Sequence, residues 1–439
     1  MNRHRRWPKL LALVLAVVLL AGIGGYWYLR PLLRTGTGYA AHNHCAVTML
    51  AGRSNPEADL PPNPLVPYLR FDAGQPGRSR ATVLGVLAGQ NAWETEFGCV
   101  VAANAPTLPA ALVVPPAAEF PTQLDASLDS AVARAFGDDL DQAGRTALGT
   151  RAVIVVKGGT VVAERYADGF TADTVQLGWS MTKSVTNLLT GRLVRERGVS
   201  LTDDHLRPEW TDQRADITID DLLRMTSGLA WDETYDLGTP ITQMLYGEPD
   251  MAAFVAAQQG EHTPGDFQQY STGSTNLLCS VLLAKADGDA NLPRELLFEP
   301  LGLGSAVLES DAVGNPVCGS YLWATPRDWA RIGQFALDDG VISGRRLLPE
   351  GWMAESTTPR AVAETDAAGM GASWWANRLP DGALVEPTLP ADAYWASGHD
   401  GQKLVVVPSA DLVVARLGFT PEVDDERAAQ LVADVIAAG

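Results

Sequence analysis

Positive charge is scarce in this chain. Its 439 residues include 33 Lys and Arg against 52 Asp and Glu, which gives a formal net charge of −19. Nucleic-acid binding depends on basic side chains that neutralise phosphates, so this balance argues against a nucleic-acid partner. A phosphate-cradling glycine loop, a nucleotide fingerprint and an internal repeat are also missing from the sequence. We therefore predict no cofactor.

One long segment near the N-terminus lacks charge altogether. Residues 10–29 are uncharged and mostly apolar, and about 20 such residues span a bilayer as a helix. Basic residues within 1–9 precede the segment and aromatic residues at 26–28 end it, as expected for a cytoplasmic tail and an interfacial belt. We predict a single-pass inner-membrane anchor with the rest of the chain in the periplasm. A cleavable signal peptide is the alternative, but no A-x-A-like site or lipobox cysteine follows the apolar run.

Cysteine is rare as well, since the chain has only Cys45, Cys99, Cys279 and Cys318. An even number of cysteines in an exported chain favours disulfides. We expect the two early cysteines to pair and the two late ones to pair, although spacing alone leaves the connectivity open. The cluster from His42 to Cys45 could suggest a metal site, but Cys45 is better used in a disulfide, so no metal is predicted.

Changes of composition suggest how the chain is divided. Residues 30–104 form a small region rich in Pro, Gly and short apolar runs, in which 83–87 and 99–101 read as strands. Residues 105–121 form a linker rich in Pro and Ala. The main domain is expected at 122–439.

The main domain combines helices with hairpins at both of its ends. Apolar residues spaced by four predict a helix over 124–136. Apolar runs flanking turn residues predict one hairpin over 151–166 and another over 404–416, and a closing helix is expected over 425–438. With mostly helical sequence between the hairpins, the pattern predicts an α+β fold with one antiparallel sheet built from both ends of the domain.

The segment from Trp179 to Ser184 carries the first chemical signal. Ser180 lies three residues before Lys183, and no other serine in the chain has a lysine at that spacing. Residues three apart share a helix face, and a serine needs an adjacent base to become a good nucleophile. Lys183 could instead be a solvated surface lysine. The apolar helix that continues after it favours burial, which would lower its pKa.

Two later segments could complete a site. Tyr270 follows a Pro-Gly turn and precedes small polar residues; beside a lysine it could shuttle protons, although a loop tyrosine usually packs. The run from Ser397 to Lys403 opens the late hairpin, where glycine permits close approach of a ligand. His399 alone would more often be structural. A triad in which His399 activates Ser180, oriented by Asp328 or Asp400, stays open.

The order of these motifs resembles that of the serine β-lactamase and penicillin-binding-protein superfamily: Ser-x-x-Lys, then Tyr-Ser-x, then His-x-Gly before a late strand. It is most similar to the class C-like branch, with its family esterases and 6-aminohexanoate-dimer hydrolases. The likeness covers about residues 122–437, with supporting stretches at 220–229, 327–333, 347–352 and 398–402. It implies the β-lactamase/transpeptidase-like fold.

The resemblance also implies roles for individual residues. Ser180 would attack a carbonyl and form an acyl-enzyme, and Lys183 and Tyr270 would share the proton transfers. The backbone N–H groups of Ser180 and Gln402 would stabilise the oxyanion.

The substrate side departs from the family pattern. Thr272 stands where the family has asparagine, and His399, before Gly401, stands where it has lysine. Both changes weaken recognition of a substrate carboxylate. The segment from Trp231 to Tyr235 resembles a mobile loop near the pocket of the oligoamide hydrolases. Trp231 and Tyr235 could close over a substrate, although local packing explains them equally well.

We therefore predict a serine hydrolase for small esters or amides, with no protein partner evident. A D,D-peptidase or weak β-lactamase acting on peptides or β-lactams is the alternative enzyme. A penicillin- or peptidoglycan-binding module that acylates slowly or not at all is the alternative outside catalysis.

Overall fold

A computed structural model describes residues 6–421 and 427–438. Arg3 and Arg5 of the basic tail and Asp425, the expected start of the closing helix, lie outside the described residues.

The helices occupy the N-terminus, the middle of the chain and its end. In chain order they are α1 (Arg6–Met49), α2 (Asp129–Ala135), α3 (Gln142–Leu148), α4 (Met181–Arg197), α5 (Ile219–Arg224), α6 (Pro240–Gly247), α7 (Met251–Ala256), α8 (Thr272–Ala284), α9 (Glu299–Leu301), α10 (Pro326–Leu337), α11 (Trp352–Ser356) and α12 (Arg427–Ala438).

The strands form a four-stranded N-terminal sheet, a six-stranded large sheet, a short three-stranded sheet and two short pairs. In chain order they are β1 (Leu69–Gln75), β2 (Arg78–Val83), β3 (Leu87–Thr95), β4 (Gly98–Val101), β5 (Thr150–Lys157), β6 (Thr160–Tyr166), β7 (Gln176–Leu177), β8 (Phe267–Gln268), β9 (Val307–Leu308), β10 (Leu322–Ala324), β11 (Val341–Ile342), β12 (Arg345–Arg346), β13 (Glu364–Thr365), β14 (Trp375–Ala376), β15 (Tyr394–Gly398), β16 (Gln402–Val407) and β17 (Leu412–Gly418).

The large sheet joins the two ends of the main domain. Its six strands run in the order β14-β15-β16-β17-β5-β6, and neighbouring strands are antiparallel, with Val414 opposite Val155. Alternate residues of β5 enter different cores, because side chains along a strand point to opposite faces. Ile154 belongs to the core that contains α4, α8 and α10, whereas Val155 packs with α2 and α12. The predicted α+β fold, with its antiparallel sheet built from both ends, is confirmed.

Two local predictions were wrong. Residues 83–87 do not form a strand, because Leu84 and Gly85 have positive φ angles of 53° and 82° and make the turn that joins β2 to β3. The helix expected over 124–136 is shorter: a 3-10 turn at Ala126–Leu128 leads into α2. Leu124 is exposed, so its apolar character does not reflect a helix face.

The long helix α1 joins the apolar segment to the folded part of the protein. The side chains from Lys9 to Leu29 are largely exposed, and the helix is long and apolar enough to cross a membrane. Beyond Leu29 it continues without a break and packs against the small sheet β1-β2-β3-β4 and against α6. A Cβ at Gly38 would lie 2.1 Å from the Tyr246 carbonyl oxygen, so glycine is required for this close packing.

A disulfide and a buried carboxylate hold this N-terminal part in place. Cys45 of α1 pairs with Cys99 of β4, the pairing favoured by the sequence. Glu309 is buried and interacts with His42 Nε2 at 2.8 Å, while it accepts hydrogen bonds from the Trp323 indole at 3.0 Å and the Cys99 amide at 2.6 Å. The His42 to Cys45 cluster is thus used in packing and pairing rather than as a set of convergent ligands.

Candidate active site

Ser180 begins the first turn of α4, on the side of the large sheet that faces the helical core. Trp179 before it has a positive φ of 47°, a conformation that is uncommon for a large side chain and often found at functional sites. Gly178 is needed here because a Cβ would lie 2.1 Å from the Trp329 ring. The Gly178 amide also donates to the Leu322 carbonyl at 2.9 Å. The turn that presents Ser180 is therefore held in place by the Trp329 ring and by the hydrogen bond to Leu322.

Lys183 lies beside Ser180, as the helical spacing predicts. Its side chain is only 2% exposed, and its Nζ is 2.8 Å from Ser180 Oγ, 2.7 Å from Thr272 Oγ1 and 2.9 Å from the Gly319 carbonyl oxygen. Burial lowers the pKa of Lys183 to about 8, and the nearby Glu233 carboxylate opposes this change. The neutral amine is thus a minor form at pH 7 and becomes the major form above pH 8.

The three contacts suit a neutral amine as well as an ammonium. An ammonium has three protons and no acceptor, so it would donate to all three oxygens. A neutral amine can donate to Thr272 and Gly319 and still direct its lone pair at the hydroxyl proton of Ser180. The geometry therefore permits Lys183 to act as a general base.

The second disulfide holds one of these contacts. Cys279 of α8 pairs with Cys318, as the sequence favoured, and Cys318 directly precedes Gly319. The Cys318 carbonyl also accepts a hydrogen bond from Thr186 of α4 at 3.0 Å. The Gly319 carbonyl is thereby positioned against Lys183 by links to both helices.

Tyr270 lies over the same lysine, as the predicted proton-shuttle role requires. Lys183 Nζ is 4.9 Å from the centroid of the Tyr270 ring, and the ring also stacks on Trp375 with centroids 5.7 Å apart. Burial raises the pKa of Tyr270, Glu233 raises it further, and its hydrogen bond with Ser180 opposes both. The cation lies on the ring face, and the phenol is protonated at neutral pH. Tyr270 is therefore present as a phenol, which can donate a hydrogen bond to a group at Ser180.

Glu233 is a site residue that the sequence analysis missed. Its carboxylate accepts hydrogen bonds from the Thr272 hydroxyl, from the Thr272 amide at 2.9 Å and from the Trp231 indole at 2.6 Å. Burial raises the pKa of Glu233, and Lys183 opposes that change. Thr272 thus connects a carboxylate to Lys183 at the position where the family has asparagine. In the sequence, the only sign that Glu233 belongs to the site is its position between Trp231 and Tyr235.

The aromatic loop and the late hairpin meet at the edge of the site. Tyr235 stacks on His399, with ring centroids 4.3 Å apart, and both rings make edge contacts with Trp179. Trp231 packs where Gly273 leaves room, since a Cβ there would lie 2.7 Å from the indole. The structure therefore brings all four predicted side chains of the substrate side, including Thr272, around Ser180 and Lys183.

The predicted oxyanion strand is adjacent to the nucleophile turn. Gln402 begins β16 opposite Gly398, and a Cβ at Gly398 would lie 2.1 Å from the Gly178 carbonyl oxygen. The Gln402 side chain is fixed by a pair of hydrogen bonds with Gly418, at 2.7 and 3.0 Å. Gly401 packs against Arg416, which donates to its carbonyl at 2.7 Å. The conformation of Gly401 is thus explained by packing, and its role in substrate binding stays a prediction.

A histidine-based triad finds little support in this arrangement. His399 Nε2 lies 3.4 Å from Asp400 Oδ1, but the ring is stacked on Tyr235, and the amine 2.8 Å from Ser180 Oγ is that of Lys183. Asp328 accepts from the amide and hydroxyl of Ser305 instead.

The fold and this arrangement of Ser, Lys and Tyr define a β-lactamase-like serine hydrolase. The model of the Beta-lactamase family matches residues 132–437, and the chain belongs to that family. A 6-aminohexanoate-dimer hydrolase of Paenarthrobacter ureafaciens is 24% identical over an alignment of 319 residues, and the match covers 63% of this chain and 74% of the relative.

Solved structures show the same fold. A Bacillus anthracis protein provisionally assigned as a 6-aminohexanoate-dimer hydrolase has a TM-score of 0.61 at 19% identity, over 74% of this chain and 89% of that one. A family VIII carboxylesterase has a TM-score of 0.54 at 17% identity, over 74% and 99% of the two chains.

Proposed function

We propose that this protein hydrolyses an ester or a small amide through an acyl-enzyme on Ser180. The observation that carries the proposal is the buried Lys183 amine, 2.8 Å from Ser180 Oγ and with a pKa lowered to about 8. A base of this pKa is well matched to proton transfer near neutral pH.

The proposed reaction has two halves. As Ser180 Oγ bonds to the substrate carbonyl carbon, neutral Lys183 takes the hydroxyl proton. Collapse of the tetrahedral intermediate breaks the bond to the leaving oxygen or nitrogen, which receives a proton from Tyr270 or from Lys183. Water then attacks the acyl ester and gives up a proton to whichever group, Tyr270 or Lys183, protonated the leaving group. As the bond to Ser180 Oγ breaks, Lys183 returns a proton to Oγ, which releases the acid and restores the site. The N–H groups of Ser180 and Gln402 would stabilise the oxyanion in both halves.

Substrates of low charge are favoured by the residues near the nucleophile. His399 stands where the family has lysine, so an imidazole takes the place of a fixed cation. The Glu233 carboxylate behind Thr272 further disfavours an anionic substrate. The names of the relatives, a dimer hydrolase that acts on an amide and a carboxylesterase, are compatible with this substrate class.

We also propose that α1 anchors the enzyme in the inner membrane with the catalytic domain in the periplasm. A signal sequence would pass the same test of length and apolarity. Release of the mature protein from membranes without detergent, together with a new N-terminus beyond residue 29, would contradict the anchor.

Labelling with a fluorophosphonate probe tests the nucleophile. We expect the wild type to be labelled and to turn over nitrophenyl acetate, and Ser180→Ala to do neither. Equal labelling of the two proteins would refute the proposal. Slow labelling by a fluorescent penicillin without ester turnover would favour a penicillin-binding module, and turnover of D-Ala-D-Ala peptides in place of esters would favour a peptidase.

A further inference from the structure

The turn between β2 and β3 exposes large apolar side chains. Leu84 is 58% exposed and Val86 is 79% exposed. Tyr68, whose carbonyl accepts a hydrogen bond from the Leu84 amide at 2.9 Å, is 53% exposed. We call Tyr68, Leu84 and Val86 the apolar turn patch. Exposed apolar side chains that are grouped rather than scattered point to an interaction surface.

The backbone of the turn holds these side chains outwards. Leu84 and Gly85 have positive φ angles of 53° and 82°, and the Val86 amide donates to the Val83 carbonyl at 3.2 Å. A positive φ is uncommon for a bulky residue such as leucine. The exposure of Leu84 and Val86 is therefore a property of a hydrogen-bonded turn.

The patch lies beside the end of the apolar part of α1. The Ala88 amide, just after the turn, donates to the Tyr26 hydroxyl at 3.2 Å, and the Ala88 carbonyl accepts from Thr37. Among residues 9–29, Tyr26 alone is partly buried, because it is the residue that contacts this segment. The turn is thus fixed to α1 at the level where the exposed apolar segment ends.

The residues at this level have the composition of a membrane–water interface. Trp27 is 62% exposed and Tyr28 is 86% exposed, and exposed aromatic rings are typical of that interface. The Arg30 guanidinium lies 5.2 Å from the centroid of the Trp27 ring. Arg70, two residues after Tyr68, is exposed. Basic side chains close to a bilayer are attracted by anionic headgroups.

We propose that the apolar turn patch inserts into the surface of the bilayer and forms a second membrane contact next to α1. The occupant of the patch is lipid, at the boundary between headgroups and acyl chains. This inference rests on the proposed anchor, because α1 brings the turn to the membrane.

Two contacts would fix the orientation of the catalytic domain. A single membrane-spanning helix can tilt, whereas a second contact beside it restricts that tilt. From Leu29 to Tyr39 the helix rises about 15 Å at ~1.5 Å per residue. Tyr39 contacts Trp179, which directly precedes Ser180. The patch would therefore hold the nucleophile turn at a defined height above the bilayer.

Site-specific fluorescence in vesicles tests the patch. An environment-sensitive dye is attached to Val86→Cys in the full chain, in vesicles of phosphatidylethanolamine and phosphatidylglycerol. The four native cysteines are paired, so the dye reports on position 86. Its emission should be blue-shifted, and a lipid nitroxide just below the headgroup should quench it at least about threefold more than a dye on the matched control Val113→Cys. Val113 is an 86% exposed valine of the linker.

Two further variants examine the same contact. The dye on Leu84→Cys should behave like the dye on Val86→Cys. Addition of Leu84→Asp to the labelled Val86→Cys protein should reduce the quenching to the level at Val113→Cys, because a carboxylate favours water over the lipid boundary. The circular dichroism spectra of all variants should match that of the wild type, since the substituted side chains are exposed.

A dye on Val18→Cys, in the exposed apolar part of α1, separates failure of the patch from failure of the anchor. Deep lipid quenching at position 18, with equal and weak quenching at 86 and 113, would overturn the patch and leave the anchor standing. Absence of lipid quenching at position 18 would refute both. A blue shift at position 86 that grows with protein density, without lipid quenching, would replace lipid by a second copy of the chain and so overturn the inference.

Discussion

The Glu233→Gln variant examines the electrostatics of the candidate base most directly. The Glu233 carboxylate raises the pKa of Lys183 against the effect of burial, and the two groups share the Thr272 hydroxyl. A glutamine side chain would keep the size of the glutamate and one acceptor but would remove the negative charge. The pKa of Lys183 should therefore fall, and the neutral, catalytically competent fraction should increase at every pH below the wild-type midpoint.

The magnitude follows from the pKa of Lys183. With a value of about 8, about one Lys183 in eleven is neutral at pH 7 and about ten in eleven at pH 9, so wild-type kcat/KM should rise about tenfold across that interval. In Glu233→Gln the part of the profile in which kcat/KM rises with pH should move to lower pH. The ratio of kcat/KM at pH 7 to that at pH 9 should then increase from about one tenth towards one.

The assay is stopped-flow hydrolysis of nitrophenyl acetate from pH 6 to pH 10. Asp232→Asn is the matched control, because it removes one negative charge from an exposed neighbour, and its pH profile should follow the wild type. The reasoning is refuted if Glu233→Gln and wild type share one midpoint, or if kcat/KM falls as the pH rises through 8. The latter result would mean that charged Lys183 is the active form.

Three further changes address the framework of the site. Replacing both Cys45 and Cys99 with serine opens a loop of 54 residues, which should lower the free energy of unfolding by about 4 kcal/mol in denaturant titrations. Glu309→Ala leaves buried indole and amide donors unpaired, so thermal and denaturant unfolding should show a loss of about 2–4 kcal/mol. Gly398→Ala places a Cβ 2.1 Å from the Gly178 carbonyl oxygen; kcat/KM should fall at least tenfold while the circular dichroism spectrum is retained.

Much of the catalytic fold could be predicted because its signals are local. The two hairpins are apolar runs around turn residues, and the helical spacing of Ser180 and Lys183 predicts their contact before any tertiary structure is known. The order of the motifs then indicates the family, which the match over residues 132–437 shows.

Other features depend on contacts that sequence spacing cannot provide. Glu233 reaches Lys183 only through Thr272, a residue 39 positions away, so neither its burial nor its effect on the pKa was predictable. Leu84 and Val86 looked like part of a strand because they are apolar, although positive φ angles make their segment a turn. Tyr39 gave no chemical signal, because its position beside Trp179 results from the packing of α1.

The buried Glu309 has a consequence for where this protein can be divided. A fragment cut at the start of the family match would lose His42 and Cys99 and would expose to water a carboxylate that is buried in the whole chain. It would also open the face of Trp179 that contacts Tyr39. We therefore expect a fragment that begins near residue 30 to unfold at a higher denaturant concentration than one that begins at residue 132.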